Sequence, residues 1–358
     1  MFAKQSFRTA LLLSVAVVGS CQSLSAQTQI THEHNGMRAG DVLKRQQVNY
    51  IPSGDNGENL VWNISELTDI GDYTVEYCCD SDSTVVYEII PTTINKYTMS
   101  GDTLFCIGYE TPLKKMQYSR PVLNIVYPSF FRQYAEANYE GHGTYCQTHA
   151  TESFGTVSME ADATGSLIVS EEDTLDNVIR VHCIKTGAIG MASEDSTGVD
   201  SMNFKQEIED RYLWYARGYR YPVFETVSTS YYDNMDFVSC IQEAYIYMPD
   251  RQRQLSDEVN DEILREDSLS AAAERDIIHY ALDYSGNTLS LSYDLDEDAV
   301  INTLICNKMG MLFQRKNEKK AAGTDYQMQF DCSELRPDDY ILYINVNGKV
   351  YSEKFKVR

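Results

Sequence analysis

His142, Cys146 and His149 fall within one short stretch, Gly141-His-Gly-Thr-Tyr-Cys-Gln-Thr-His149. Imidazole and thiolate groups at such spacing can ligate zinc or form a Cys–His pair for nucleophilic chemistry. No fourth ligand completes a zinc spacing nearby, so the stretch reads as a Gly-rich turn leading into a strand. Asp294, Asp296 and Asp298 match the first ligands of a calcium loop, and calcium is the cofactor they would take. Ala299 stands where the sharp-turn Gly belongs and Ile305 where the bidentate Glu belongs, which favours an acidic turn. Trp214, Tyr219 and Tyr221 are candidates for stacking on a sugar, although their alternation with Tyr212 and Tyr215 equally suits core packing. His32 and His34 are expected on a disordered mature terminus. With 53 acids in the chain, carboxylate pairs for glycoside hydrolysis occur at every spacing and carry no signal. Gly-x-Ser-x-Gly and His-Glu-x-x-His motifs are absent from the sequence, and no catalytic residue is assigned.

The elements that must position these residues read as strands. Tyr73 to Cys79, Val85 to Ile90, Lys96 to Met99, Thr103 to Tyr109, Glu152 to Ala161, Asn177 to Lys185 and Val223 to Tyr231 are rich in β-branched and aromatic residues and separated by turn signals. An all-β chain follows, with a large sandwich-like N-terminal domain over 27–248 that has room for two subdomains. Residues 249–276 change character, being highly charged with few aromatics, and are expected as a linker. Leu255, Val259 and Ile263 give too thin an apolar stripe for a packed helix, so a mobile tether is predicted. Residues 277–358 return to short strands, Thr288 to Leu295, Ala299 to Asn307, Met311 to Gln314 and Tyr326 to Phe330, which predict a small immunoglobulin-like sandwich.

The chain closes on a hairpin. Tyr340 to Val346 is dense in β-branched and aromatic residues, and Asn347-Gly348 supplies the positive-φ pair of a type I′ turn. Tyr351, Phe355 and Val357 then alternate with Ser352, Lys354 and Lys356, and Glu353 on the apolar side suits an edge strand. The order of these strands, with Asp331-Cys-Ser-Glu-Leu335, Tyr340, Asn347-Gly-Lys349 and a terminal Lys354-Phe-Lys-Val357, resembles the C-terminal sorting domain of the type IX secretion system of Bacteroidetes. Asp338 replaces the Gly usual in that family and is expected to hold the turn in left-handed backbone. The resemblance implies an address read by export machinery. Gly57-Glu-Asn-Leu-Val-Trp62, Ala161-Asp-Ala-Thr-Gly165 and Trp214-Tyr-Ala-Arg-Gly218 similarly resemble uncharacterised secreted proteins of Bacteroidetes, which implies origin and compartment but no activity.

At the other end, Lys4 and Arg8 precede the apolar run Ala10 to Val18, which predicts a signal peptide over 1–26. Ala26-Gln27 is the expected cleavage junction. Val18-Gly-Ser-Cys21 resembles a lipoprotein box, making Cys21 the candidate lipidation site and the membrane's sole expected handle. Cys21 aside, eight cysteines remain; an oxidising compartment permits pairing, and their apolar surroundings predict inert burial for most.

A net charge of −23 argues against nucleic acid as a partner, because so acidic a surface repels phosphate backbones. The expected function is therefore that of an exported bacterial protein, secreted, at the outer cell surface or in the periplasm, that binds a glycan or protein ligand and mediates adhesion. A hydrolase of glycans or peptides and a structural envelope protein are the alternatives.

Overall fold

The computed structural model describes residues 29–170, 173–194, 200–273, 276–308 and 310–358; the expected signal peptide and Cys21 lie outside the described residues. Strand accounts for 68% of the chain and helix for 6%, so the protein is nearly all β. The first unit begins with β1 (Gln29–Ile30), α1 (His32–Asn35), β2 (Val42–Val48), β3 (Gly57–Asn63), β4 (Asp69–Cys79), β5 (Val85–Ile90), β6 (Thr93–Ser100) and β7 (Thr103–Glu110). It continues with β8 (Lys114–Val126), β9 (Ser129–Phe130), β10 (Tyr134–Tyr145), β11 (His149–Ile168), β12 (Thr174–Glu194), β13 (Asp200–Ala216), β14 (Phe224–Asp233) and β15 (Asp236–Ile246).

Neighbours run β10-β8-β7-β6-β5-β4-β2-β15-β14-β13-β12-β11, and β10 also pairs with β11, so twelve strands close into a barrel. This corrects the sandwich expected for 27–248. Sandwich and barrel both bury one face of every strand, so their alternation is the same; closure rests on distant pairings such as Ala244 opposite Val48. β3 lies outside the ring, parallel to the end of β11.

The antiparallel course puts turns 91–92, 111–113, 146–148 and 234–235 at one end, the mouth, and turns 101–102 and 217–223 at the other, the floor. Ile30, 0% exposed, joins Leu123, Ile125, Tyr127, Met159 and Val181 in a core that fills the lower lumen. Thr31 caps α1 by accepting from the His34 N–H, and Arg220 Nη1 donates to the Glu33 and Gly36 carbonyls, both at 3.0 Å. His32 and His34 thus sit on a docked helix instead of a loose terminus, with the His32 ring edge-on to Tyr127 at 5.5 Å.

The segment expected as a tether forms α2 (Pro249–Gln252) and α3 (Glu258–Ala273). Polar anchors, and only a few apolar ones, hold it to the floor. The buried Gln252 amide accepts from Tyr221 N–H at 2.9 Å and donates to the Tyr221 carbonyl at 3.1 Å. Asp257 receives two bonds from Arg220, at 2.7 and 2.8 Å, and Asn260 donates to the His34 carbonyl at 2.9 Å. Gly218 has φ +79, and a Cβ there would stand 2.7 Å from Leu264 Cδ2, so glycine is what lets α3 approach.

The chain ends in β16 (Ile278–Ser285), β17 (Thr288–Leu295), β18 (Ala299–Asn307), β19 (Leu312–Lys320), β20 (Gly323–Asp331), β21 (Asp338–Val346) and β22 (Lys349–Val357). They form two sheets, β16-β17-β20 and β19-β18-β21-β22, which share one core containing Leu291, Phe330, Ile301, Leu342 and Ile344. Asn347 and Gly348 have φ 51 and 102 and close the β21–β22 hairpin, with β22 at the sheet edge. Asp338 pairs with Val357 in strand backbone, so it does not supply the left-handed turn expected of it. The outer face of the four-stranded sheet meets the barrel through Leu304, Cys306, Ile341 and Tyr343 against Ile168 and Val61.

Candidate ligand site in the barrel lumen

About eight strands enclose only enough room for their own side chains, and a wider ring leaves space inside. Above the apolar floor the lumen holds a cavity of about 400 Å³. Strand alternation places its lining. Glu207, Glu209 and Arg211 occupy successive inward positions of β13, opposite Lys185 of β12, while Glu225 of β14, Glu243 and Tyr245 of β15, Arg45 of β2 and Glu88 of β5 complete the charged belt. Tyr97, Tyr109 and Tyr118 line the opposite wall.

The deepest charges are matched. Glu225 accepts from Arg211 Nε at 2.7 Å and from Arg45 Nη2, and Arg45 lies 4.0 Å from the Tyr245 ring centroid. Burial pushes the Glu225 carboxyl up, but the two guanidinium groups outweigh it and hold the group below its usual range. Glu88 accepts from Tyr77 Oη at 3.0 Å, Asn95 Nδ2 at 2.9 Å and Tyr97 Oη at 3.3 Å. Lys185 Nζ pairs with Glu207 at 3.2 Å; burial disfavours its charge, yet the phenols and carboxylates around it raise it well above an ordinary lysine.

Glu209 is different. Among the described residues it has neither a hydrogen-bond partner nor an ion pair, and it faces the cavity half-buried. Toward the mouth, burial pulls Lys114 down to about 8, and its ammonium sits 5.4 Å from the Tyr109 ring centroid. Cys106 and Cys183 also line the cavity, but burial pushes them up to about 11 and about 12, so both stay protonated thiols and poor nucleophiles. The arrangement can therefore fix a polar ligand by charge and hydrogen bonding, with an excess of carboxylate over cation: Glu88, Glu207, Glu209, Glu225 and Glu243 against Arg45, Lys185 and Arg211.

The residues singled out from the sequence lie elsewhere. Trp214, Tyr219 and Tyr221 are buried: Trp214 packs against Trp62 and Phe224, Tyr219 Oη accepts from Arg253, and Tyr221 stacks on Tyr77 and donates to Asp41 at 2.9 Å. Their rings are core, without a free face for stacking. Asp294 accepts from the Asp325 N–H, Asp296 pairs with His279 and Asp298 accepts from the Ala322 N–H, so the three carboxylates serve separate partners. Among the described residues no group of three or more His, Cys, Asp or Glu is placed to hold a metal ion. His142 faces Glu140 and Glu152 at 3.9 and 3.8 Å, and Cys146 is an exposed turn residue with φ 49.

The lumen charges escaped the sequence reading. Glu207-x-Glu209-x-Arg211 and Glu243-x-Tyr245 carry the signal, since period-two charge on a long strand means a polar face, but only closure turns that face inward. No family model matches this chain, and no curated protein is significantly similar to it.

Proposed function

We propose that this chain is an exported bacterial binding protein whose barrel lumen takes a small ligand bearing a cationic group. The observation that carries the reading is Glu209, a carboxylate presented to an open cavity beside Glu207 and Glu243, with no hydrogen bond or ion pair among the described residues and only the longer-range attraction of Lys185 and Arg211. Buried charge is costly, and well-packed apolar side chains would serve stability as well or better, so a charged belt around an empty space fits recognition. Arg45 over Tyr245 and Lys114 over Tyr109 show that rings of this wall take cations.

Export is supported by the N-terminal charged and apolar run and by the terminal hairpin, with its resemblance to a secretion sorting domain. Two sheets around one core suit the immunoglobulin-like reading of that unit. Outward positions of β10, β11 and β14 carry Glu136, Glu140, Ser158, Glu160, Ser228 and Ser230 alongside the exposed Tyr134 and Phe154. No helix among the described residues is long and apolar enough to cross a membrane.

Calorimetry with a panel of small amines, amino acids and neutral controls tests the lumen reading. Glu209→Gln is expected to weaken a cationic ligand by about tenfold or more, the worth of one charge-assisted hydrogen bond, and to leave folding intact. A folded protein that binds no cationic member of the panel would overturn it. Mass analysis of the exported chain tests the compartment, with Gln27 the expected first residue.

A further inference from the structure

A second cavity lies where the barrel meets the C-terminal sheets. It measures about 160 Å³ and is walled by Trp62 and Trp214 on the barrel side and by Asn302, Leu304, Arg315 and Tyr343 on the other. Asn302 is 2% exposed, and neither its Nδ2 nor its Oδ1 has a hydrogen-bond partner. Trp214, 1% exposed, likewise leaves Nε1 without one. Each unmet buried group is destabilising, and Leu304, two residues along the same strand face, shows that an apolar side chain fits this surface. Neighbouring Asn345 provides a contrast: its Oδ1 accepts from the Gly348 N–H at 2.9 Å and so secures the hairpin turn. Asn302 has no such duty.

We propose that this cleft binds a single saccharide ring. An amide with both donor and acceptor unmet matches a pair of adjacent hydroxyls once its side chain turns toward the cavity it lines. Trp62, half-buried and set edge-on to Trp214 at 6.0 Å and 83°, gives the apolar surface against which a sugar C–H face packs. Charge agrees with a neutral ligand, because Asp55 and Arg315 are the charged residues of the lining and they balance. Size agrees too: the cavity holds the volume of about five waters at ~30 Å³ each, enough for one sugar ring and too little for two. The site is separate from the lumen and does not rest on the reading given for it.

The chain has two tryptophans, and both line this cleft, so their emission reports its occupancy and is blind to the lumen. The full mature protein is titrated with glucose, galactose, mannose and N-acetylglucosamine. One of them is expected to give a saturable change in tryptophan emission. Asn302→Leu should weaken that binding by about tenfold or more while the urea midpoint stays level or rises, since the variant removes two unmet polar atoms. No saturable change with any of the sugars, or equal affinity in Asn302→Leu, would overturn the proposal. Should that variant fail to fold, protection of tryptophan from acrylamide quenching by bound sugar in the unmodified protein decides the matter, and its absence counts against the site.

Discussion

Arg180 is on the outer face of the barrel, yet it is 1% exposed. Segment 49–56 crosses over it: Arg180 donates to the Ser53 and Asp55 carbonyls, holds Asp162 at 2.9 and 2.7 Å, and lies 4.9 Å from the Tyr212 ring centroid. Arg180→Ala leaves Asp162 buried without its cation and is expected to cost about 3–5 kcal/mol in urea denaturation. Leu at both positions should recover much of that loss, because the penalty belongs to the unpaired charge and not to the absent pair. Cysteines divide at the same scale. Cys78, Cys79, Cys146 and Cys240 are exposed, whereas Cys306 is buried and pushed up to about 12 by burial. A maleimide at pH 8 should therefore label the exposed four in the native protein and reach Cys306 only in denaturant, as read by peptide mass mapping. The expectation of burial for most cysteines fails because a strand has two faces, and the alternation around Cys240 does not reveal which one is covered.

Among the elements, the seam between β2 and β15 is the barrel's shortest, with Ala244, Tyr245 and Ile246 paired to Val48, Gln47 and Gln46. The Arg45–Glu225 pair crosses it, joining β2 to β14 over the Tyr245 ring, so the charged belt of the lumen also staples the ring shut. α3 depends on polar anchors in the same way. Burial pushes the Asp257 carboxyl up, but bonds from Arg220 and Asn260 outweigh this and hold it below the usual carboxylate range. A depressed folded-state pKa stabilises above the unfolded value of about 3.9 and ceases to do so as pH falls through the folded one. Hydrogen exchange over 258–273 should therefore accelerate as pH drops below about 4, beyond its intrinsic trend. Asp257→Asn should exchange faster at pH 7 and lose that acid step. The sequence showed the charges of this segment and the thinness of its apolar stripe; that Arg220 and His34 wait opposite them is a long-range fact.

At the scale of the whole molecule, the C-terminal unit is packed on the barrel instead of hanging from it. Leu304 is 6% exposed within a cluster shared with Ile168 and Ile341. Leu304→Asp puts a charge into that contact, and the two units are expected to separate, raising the radius of gyration in small-angle scattering and splitting one thermal transition into two. Separating the two units would also open the cleft at Trp62.

Local chemistry settled the β class, the strands Thr288 to Leu295 and Ala299 to Asn307, and the turn at Asn347-Gly348, because a two-residue period and a positive-φ pair act within a few residues. Closure of the ring, the docking of α3 and both cavities belong to tertiary structure alone. Each depends on partners far apart in the chain: Val48 with Ala244, Arg220 with Asp257, and Asn302 across from Trp214. Alternation tells a strand which residues share a face; only the pairing of remote strands decides whether that face meets core, solvent or an open space that a ligand can fill.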